Sequence, residues 1–293
     1  MKIEVITGPT ASGKTILALQ RFEADPSIEI VNADASLLYK GFDIGTAKPS
    51  KEIQGKIPHH LIDILQPQER FNAADYARSA RDTIRTILEK GKTPLVVGGT
   101  GFYIDALFFG ITSVDANEEK LSQARSKVTQ EMKEFGFDTM HEKLREIDPI
   151  LYEQIARERN PRRLERTWEF YYATGISLGE ARKEKSEPFE FEPSFTLIEV
   201  ERNELWEKIA LRIDTMLFAG WLNETAQLLT NGITNDMPAM NAIGYRELTA
   251  VLHGEITLDE AREAIAIRTR QYAKRQVTWM KRYKKIINDV HQT

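Results

Sequence analysis

The stretch Gly8-Pro9-Thr10-Ala11-Ser12-Gly13-Lys14-Thr15 decides the fold, because it fills every fixed position of the pattern G-x-x-x-x-G-K-[ST]. The apolar residues 3–6 before it predict a buried strand, and residues 16–19 after it predict the start of a helix. In this context the glycines let the backbone wrap around an anion, toward which the N–H groups at the helix start point. Lys14 adds positive charge, and the Thr15 hydroxyl can hold Mg²⁺. We predict that these eight residues (the P-loop) bind a diphosphate or triphosphate, with Thr15 as the metal ligand.

The composition predicts a globular, cytoplasmic protein. The 293 residues are 41% hydrophobic and 29% charged, with a net charge of −4. No run approaches 18 apolar residues, and Met1-Lys2 leads directly into the first strand, so we expect neither a membrane span nor a signal peptide. The absence of cysteine excludes disulfides, thiolate zinc sites, iron–sulfur clusters and a cysteine nucleophile. The sequence indicates no protein partner, and we expect a monomer.

Strand patterns alternate with helical patterns along much of the chain. We predict strands at residues 3–7, 28–32, 94–97 and 195–200, a weaker one at 60–64, and helices at 15–22, 73–90 and 103–109. The fold class is therefore α/β, with a P-loop-type parallel sheet core covered by helices. Residues 115–190 lack strand signals and are rich in Glu, Lys and Arg, which predicts an all-helical insertion domain. The catalytic core then comprises residues 1–114 and 191–293, and it ends in basic helices.

Basic residues concentrate in two parts of an otherwise acidic chain. Residues 262–285 contain nine Lys or Arg against one Glu, and five arginines lie within residues 157–166. Helical periodicity in the last segment predicts an apolar stripe, a basic face and a basic flank. The apolar stripe is Ile265, Tyr272, Trp279, Tyr283 and Ile287. The basic face is Arg270, Lys274, Lys281 and Lys285, and the basic flank is Arg268, Arg275 and Arg282. The basic face could be plain solvated surface, but like charges at i±4 repel one another, so we expect phosphate-rich partners at these surfaces.

Two further strand ends carry candidate chemistry. The strand at 94–97 ends in Gly98-Gly99-Thr100-Gly101, without the carboxylate that an NTPase would use for Mg²⁺ and water. The strand at 28–32 is followed by Asp34. Ligands of open parallel sheets bind at the carboxyl ends of the strands, so we expect the P-loop, Asp34 and Thr100 at one edge. From the residues alone, Asp34 could be a Mg²⁺ ligand, a base near the phosphate, or a helix N-cap.

Long, rare strings from nearly the whole chain resemble the tRNA dimethylallyltransferase family. They are GPTASGKT (8–15), DASLLYKGFDIGTAKP (34–49), PHHLIDI (58–64), GGTGFYIDAL (98–107), PRRLER (161–166), AIGYRE (242–247) and TRQYAKRQVTW (269–279). The resemblance implies that the P-loop and Mg²⁺ hold the diphosphate of dimethylallyl diphosphate. It also implies a tRNA anticodon stem-loop as partner, whose adenosine 3′-adjacent to the anticodon attacks the allylic carbon through N6. Diphosphate and N6-isopentenyladenosine are the implied products.

The resemblance carries over to individual positions. Asp34 corresponds to the family's base and Thr100 to a hydroxyl lining the reaction channel, and both also contact tRNA. Arg212, and more loosely Lys48, would add charge around the diphosphate, although surface pairing explains either as well. The remaining tRNA-contacting positions are Ala35, Ser36, Leu37, Arg125, Arg162, Arg163, Leu164, Glu165, Arg166, Lys274 and Arg275.

The chain departs from the family pattern at two places. The family commonly has Asp-Ser where this chain has Asp34-Ala35, which leaves open whether Ser36 supplies the hydroxyl. Arg166-Thr167-Trp168-Glu169 replaces the usual Arg-Ala-Leu-Glu. Three other functions share some of these features: a prenyltransferase for free adenine nucleotides, a small-molecule kinase, and a noncatalytic RNA-binding module. The basic insertion and the basic last helix disfavour the first, because a mononucleotide needs neither.

Overall fold

A computed structural model describes residues 1–111, 118–181 and 187–290 of the chain. The chain divides into two compact units. One comprises Met1–Phe108 and Phe189–Thr293, here called the sheet unit, and the other comprises Phe109–Pro188, here called the helical unit. The predicted domain boundary between residues 114 and 115 lies outside the described residues. No helix in the described parts of the chain is both long enough and apolar enough to cross a membrane.

The sheet unit is built on five parallel strands in the order β3-β2-β4-β1-β5. They are β1 (Lys2–Thr7), β2 (Ile28–Asn32), β3 (His59–His60), β4 (Thr93–Gly98) and β5 (Glu192–Leu197). The central strands are rich in fully buried β-branched residues, as expected for a parallel sheet covered on both faces. The predicted parallel sheet is confirmed.

The bounds of two predicted strands are wrong. Residues 195–200 are apolar enough for a strand, but β5 spans Glu192–Leu197 because it pairs with β1 from Lys2 to Thr7. The pairing ends where β1 enters the P-loop. The weak strand at 60–64 is reduced to His59–His60, which pairs with only two residues of β2.

Helices occupy most of the remaining described residues. They are α1 (Lys14–Ala24), α2 (Lys51–Lys56), α3 (Ala73–Glu89), α4 (Gly101–Phe109), α5 (Glu118–Ile147), α6 (Pro149–Glu158), α7 (Pro161–Thr174), α8 (Leu178–Ala181), α9 (Arg202–Phe218), α10 (Trp221–Thr230), α11 (Tyr245–Leu252) and α12 (Leu258–Val290), with short 3₁₀ turns at Ala35–Leu38 and Pro238–Asn241.

The helix α3 shows how local sequence sets an element of the sheet unit. The Asn72 side chain accepts hydrogen bonds from the N–H groups of Ala74 and Asp75, and the Asp75 carboxylate accepts one from Asn72 N–H. This capping box fixes the start of the helix. Residues at helical spacing, among them Ala80, Ile84 and Ile87, are then fully buried.

The buried stripe of α12 differs from the predicted one. It runs through Ile265, Ala273, Gln276, Met280 and Tyr283, whereas the predicted members Tyr272, Trp279 and Ile287 are only partly buried. Polar Gln276 lies where the helix approaches the glycine-rich turn after β4, and small Ala273 is buried in a hydrophobic cluster. A Cβ on Gly99 would lie 2.0 Å from Gln276 Nε2. The hydrophobic pattern misplaced the stripe because this contact is polar and very close.

Four of the basic residues of α12 have acidic partners from elsewhere in the chain. Arg262 pairs with Asp214, Arg268 with Glu247, Arg282 with Asp105, and Lys284 with Glu199. Part of the positive charge of this segment is therefore neutralised by carboxylates outside the helix. Helical spacing within α12 cannot detect carboxylates that α4, α9 and α11 supply.

The helical unit contains only helices within residues 118–181, as predicted. Its core is formed by Val128, Met140, Leu144, Leu151, Ile155, Leu164 and Trp168. Trp168 is 3% exposed, and its indole N–H donates to the carbonyl of Met140 at 3.1 Å. Thr167 is also buried. The departure from Arg-Ala-Leu-Glu is thus a change in the core of this unit.

Candidate active site

The strand order brings three loops together at the carboxyl edge of the sheet. β4 lies between β1 and β2, so the turn after β4 is flanked by the P-loop and by the segment containing Asp34. Thr100 N–H donates to the carbonyl of Ala33 at 3.0 Å, and the Thr100 hydroxyl accepts from Ala35 N–H at 3.1 Å. A Cβ on Gly98 would lie 2.2 Å from the Ala33 backbone, which explains the glycine. The predicted grouping of the P-loop, Asp34 and Thr100 is present.

The P-loop has the backbone of an anion cradle. Ala11 (φ 62°) and Gly13 (φ 94°) are left-handed, and α1 begins at Lys14 with first-turn N–H groups that lack helical acceptors. The Lys14 ammonium folds over the loop and donates to the carbonyls of Gly8 (3.1 Å) and Pro9 (2.9 Å). The Ser12 hydroxyl is buried and has no hydrogen-bond partner among residues that the structure describes. Such an orphaned group fits a site completed by phosphate oxygens.

Burial makes the charge of Lys14 sensitive to a bound anion. It lowers the pKa of Lys14 to about 8; the Asp34 carboxylate opposes this shift and the Arg212 guanidinium adds to it. Burial also lowers the pKa of Arg212, again opposed by Asp34. The two cations and the carboxylate therefore share one poorly hydrated region. A diphosphate there would favour the charged form of both cations.

The two oxygens of Asp34 have different surroundings. Oδ1 accepts hydrogen bonds from Ser36 N–H at 3.0 Å and from the Ser36 hydroxyl at 2.7 Å. This caps the turn Ala35–Leu38, so the N-cap interpretation of Asp34 holds. Oδ2 makes no hydrogen bond within the described chain, and it can accept a proton from a ligand. The hydroxyl that contacts Asp34 therefore belongs to Ser36.

Asn32 fixes the backbone that carries Asp34. Its side-chain oxygen accepts from Asp34 N–H at 2.9 Å. Its amide donates to the carbonyls of Asp34 (3.0 Å) and Leu61 (2.8 Å). Asn32 is 2% exposed, so these bonds are shielded from water. The carboxylate is thereby held at a fixed place beside the P-loop.

Sequence reasoning missed two residues of α12 at this edge. Gln276 accepts from the N–H of Thr10 at 2.7 Å and donates to the carbonyl of Gly99 at 3.0 Å, so it joins the P-loop to the turn after β4. Burial raises the pKa of Tyr272, and nearby Asp34 raises it further, while hydrogen bonds to Thr100 and Gln276 oppose the shift. Both residues lie within TRQYAKRQVTW, so that string contained the available signal.

A carboxylate on α10 holds the loop beside Arg212. Glu224 accepts hydrogen bonds from the N–H groups of Asp43 (3.1 Å), Ile44 (2.7 Å) and Gly45 (3.2 Å), and from the Tyr245 hydroxyl (2.8 Å). Arg212 donates to a carbonyl of the same loop, that of Thr46, at 3.4 Å. Glu224 therefore orders the loop that supports this guanidinium.

Lys48 has a structural position that differs from its loose assignment to the diphosphate. Its side chain is 1% exposed, and its ammonium pairs with Asp43 (2.6 Å) and Asp63 (2.5 Å) and donates to the Tyr39 carbonyl (2.8 Å). These three acceptors satisfy all its donors. Lys48 thus forms ion pairs, as the alternative had it, with its own side chain buried, Asp63 partly buried and Asp43 exposed.

The family model described as IPP transferase matches residues 37–283. The chain belongs to this family. A tRNA dimethylallyltransferase of Geobacter sulfurreducens is 40% identical over 285 residues, covering 96% of this chain and 89% of that protein. The full-length tRNA isopentenylpyrophosphate transferase from Bacillus halodurans has 34% identity and a TM-score of 0.65, covering 96% and 86% of the two chains. A eukaryotic dimethylallyltransferase acting on tRNA has 30% identity and a TM-score of 0.77, covering 95% and 69%. The resemblance inferred from the motifs is confirmed.

The donor set of this IPP transferase fits a magnesium ion brought in by a diphosphate. Among the described residues, no group of three or more His, Asp or Glu could hold a metal. Thr15 is exposed on the first turn of α1 and offers one hydroxyl. Mg²⁺ commonly binds few protein ligands and keeps water and phosphate oxygens. A site with Thr15 and a diphosphate therefore suits it.

The RNA-contact positions expected for an IPP transferase lie on both units. On α7, Arg162 and Arg166 pair with Glu169, Arg162 also pairs with Glu165, and Arg163 pairs with Glu158. Leu164 is fully buried, so its side chain serves packing. Arg125 is partly buried on α5. In the sheet unit, Lys274 and Arg275 are exposed on α12, and residues 35–37 are partly buried beside Asp34.

Proposed function

We propose that this chain transfers the dimethylallyl group of dimethylallyl diphosphate to N6 of the adenosine 3′-adjacent to a tRNA anticodon. One observation carries the proposal: in an IPP transferase, the P-loop, the Asp34 carboxylate and the Thr100 hydroxyl meet at one edge of the sheet. Among the described residues, one oxygen of that carboxylate has no hydrogen-bond partner. The donor diphosphate occupies the P-loop, and the adenine amine lies between Asp34 and the allylic carbon.

The transfer breaks the allylic C–O bond and forms an N–C bond, so negative charge grows on the departing diphosphate. Lys14, Arg212 and the N–H groups at the start of α1 stabilise this charge. Mg²⁺ on Thr15 and the phosphate oxygens would neutralise further charge when bound. Water need not be activated, which accords with a strand end that carries Thr100 instead of a carboxylate.

Asp34 receives the proton that the amine loses on alkylation. Its Oδ2 is the acceptor, because Oδ1 is committed to Ser36. The Thr100 hydroxyl, placed by Ala35 N–H and close to Tyr272, orients the adenine. The chain has no Asp-Asp pair of the kind that binds diphosphate through metal in chain-elongating prenyltransferases.

The acceptor is RNA, since the chain carries basic clusters on both units that a free nucleotide would not need. We assign residues 115–190 as a domain that contacts the anticodon stem-loop through Arg125, Arg162, Arg163 and Arg166, and Lys274 and Arg275 of the sheet unit add contacts. The protein works as a monomer in the cytoplasm, where its substrate occurs. Sedimentation of the purified chain with and without tRNA tests the monomer.

The decisive experiment compares acceptors. The protein is incubated with labelled dimethylallyl diphosphate, Mg²⁺ and either an unmodified tRNA anticodon stem-loop or AMP, at two salt concentrations. We expect label in the stem-loop, declining with salt, and little in AMP. Efficient labelling of AMP without salt-sensitive use of the stem-loop would assign the protein to the nucleotide prenyltransferases. ATP-dependent phosphorylation in place of prenyl transfer would indicate a kinase.

A further inference from the structure

Three cations converge on one tryptophan of the sheet unit. Arg202 and Trp206 lie on α9, and Arg270 and Lys274 lie on α12. The charged groups of Arg202, Arg270 and Lys274 lie 5.5, 5.8 and 5.9 Å from the centre of the Trp206 ring. We call these four residues the Trp206 cluster. Trp206 and Arg270 are partly buried, and the other two are exposed.

The cations of this cluster lack the carboxylates that neutralise their neighbours. Arg262, Arg268 and Arg282 of α12 each form an ion pair. Within the chain as described, Arg202, Arg270 and Lys274 form none, and the buried Nε of Arg270 has no hydrogen-bond partner. The nearby carboxylate of Glu201 is already bound to the N–H groups of Asn203 and Glu204.

Such an arrangement is unfavourable without an anion. Cation–π contact with one indole offsets part of the repulsion among three positive charges, but it leaves their hydrogen-bond donors unused. A buried unsatisfied guanidinium N–H is costly. Arg and Lys donors grouped in this way match the geometry and charge of a phosphate group.

We infer that the Trp206 cluster is a phosphate-binding site separate from the P-loop. The two sources of phosphate are the RNA backbone and free diphosphate, and the RNA backbone fits better because the cluster is largely exposed on two helices. The choice of RNA rests on the proposed function, but the binding site itself does not require prenyl transfer.

The test measures binding instead of catalysis. Arg270→Gln removes the central charge of the cluster, and Arg262→Gln is the matched control, which removes one already paired charge from the same helix. Arg270→Lys keeps the charge. For each protein, the affinity for a tRNA anticodon stem-loop is measured over a range of salt concentrations, and the affinity for inorganic diphosphate is measured without RNA. Thermal unfolding confirms that each variant is folded.

We expect Arg270→Gln to lower the log–log salt slope of RNA binding by about 0.7 to 0.9, the value of one lost phosphate contact, whereas Arg262→Gln and Arg270→Lys keep it. An unchanged slope with weaker diphosphate binding in folded Arg270→Gln would support the site with diphosphate as its ligand. If neither affinity responds to Arg270→Gln beyond the Arg262→Gln control, the inference is wrong. If Arg270→Gln lowers the salt slope but the parent protein transfers no dimethylallyl group, the phosphate site is supported and the proposed function is wrong.

Discussion

Lys14 is neutralised close to physiological pH, which makes its contribution to diphosphate binding measurable. Its pKa is about 8 in the ligand-free protein because it is buried, and a bound diphosphate raises that pKa. Below about pH 8 the amine is charged in both states, so its contribution does not vary with pH. Above about pH 8, diphosphate binding requires the uptake of one proton by Lys14. The diphosphate affinity due to Lys14 therefore falls by up to tenfold per pH unit until the pKa of Lys14 in the complex is reached.

Calorimetric titration with inorganic diphosphate from about pH 7 to about pH 9.5 measures this effect. Lys14→Ala should bind diphosphate more weakly and should lose the pH-dependent component of binding. In the transfer reaction, loss of this charge should raise the transition-state free energy by roughly 2–4 kcal/mol. Diphosphate itself also titrates in this pH range, and subtracting the pH dependence of Lys14→Ala from that of the parent removes this effect. Exposed Lys92, in the turn before β4, serves as the control, and Lys92→Ala should behave as the parent does. A pH dependence that survives in Lys14→Ala would contradict the assignment.

Asp34 combines two tasks that a single substitution can separate. Asp34→Asn preserves an oxygen that can accept from Ser36, so the capped turn should remain. It removes the carboxylate that we propose takes the proton, so we expect transfer to slow by about 10²–10⁴ while the affinity for the donor is unchanged. Ser36→Ala is the matched control, since it removes the 2.7 Å hydroxyl contact but leaves the carboxylate. Single-turnover rates at saturating donor distinguish the two; equal losses would mean that Asp34 acts only as a cap.

At the scale of elements, α12 contacts the proposed donor site through Gln276. Gln276→Met keeps the length of the side chain but leaves Thr10 N–H without its acceptor. An unsatisfied buried donor of this kind lowers the free energy of unfolding by about 1–3 kcal/mol. We expect lower stability toward urea and a higher KM for dimethylallyl diphosphate. Gln271 is exposed on the same helix, and Gln271→Met should change neither. Gln276→Glu, which keeps an acceptor for Thr10, should recover part of the donor affinity. A raised KM only for RNA would indicate that Gln276 serves the acceptor.

The elements and their chemistry could be predicted where the signal is local. The P-loop, the strands around it and the positions of Asp34 and Thr100 follow from short patterns and from the rule for parallel strand ends. Gln276 could not be found this way, because its partners Thr10 and Gly99 are 266 and 177 residues distant. Glu224 holds a loop about 180 residues earlier, and the same limit applies. Charge periodicity along α12 likewise gave no sign of the ion pairs of Arg262, Arg268 and Arg282, since their carboxylates lie on other elements.

At the scale of the molecule, the two units have separate hydrophobic cores. Trp168 is nearly fully buried in the helical unit, so Trp168→Ala should destabilise that unit by about 3–5 kcal/mol. Because the P-loop belongs to the sheet unit, we expect diphosphate binding to persist while stem-loop binding is weakened. Phe135, an exposed aromatic residue of the same unit, supplies the control Phe135→Ala, which should affect neither. Hydrogen exchange of each unit, measured beside both affinities, tests this; an equal loss of diphosphate binding would contradict it.

The bond between Gln276 and Thr10 also has a consequence for synthesis. At about 5–20 residues per second, the ribosome makes Gln276 roughly 15 to 50 s after Thr10. Throughout that interval the nascent chain has its phosphate loop but not the side chain that fixes Thr10 N–H. The P-loop of a growing polypeptide is therefore not yet fixed as it is in the finished protein, and this edge of the sheet matures only when translation has passed Gln276.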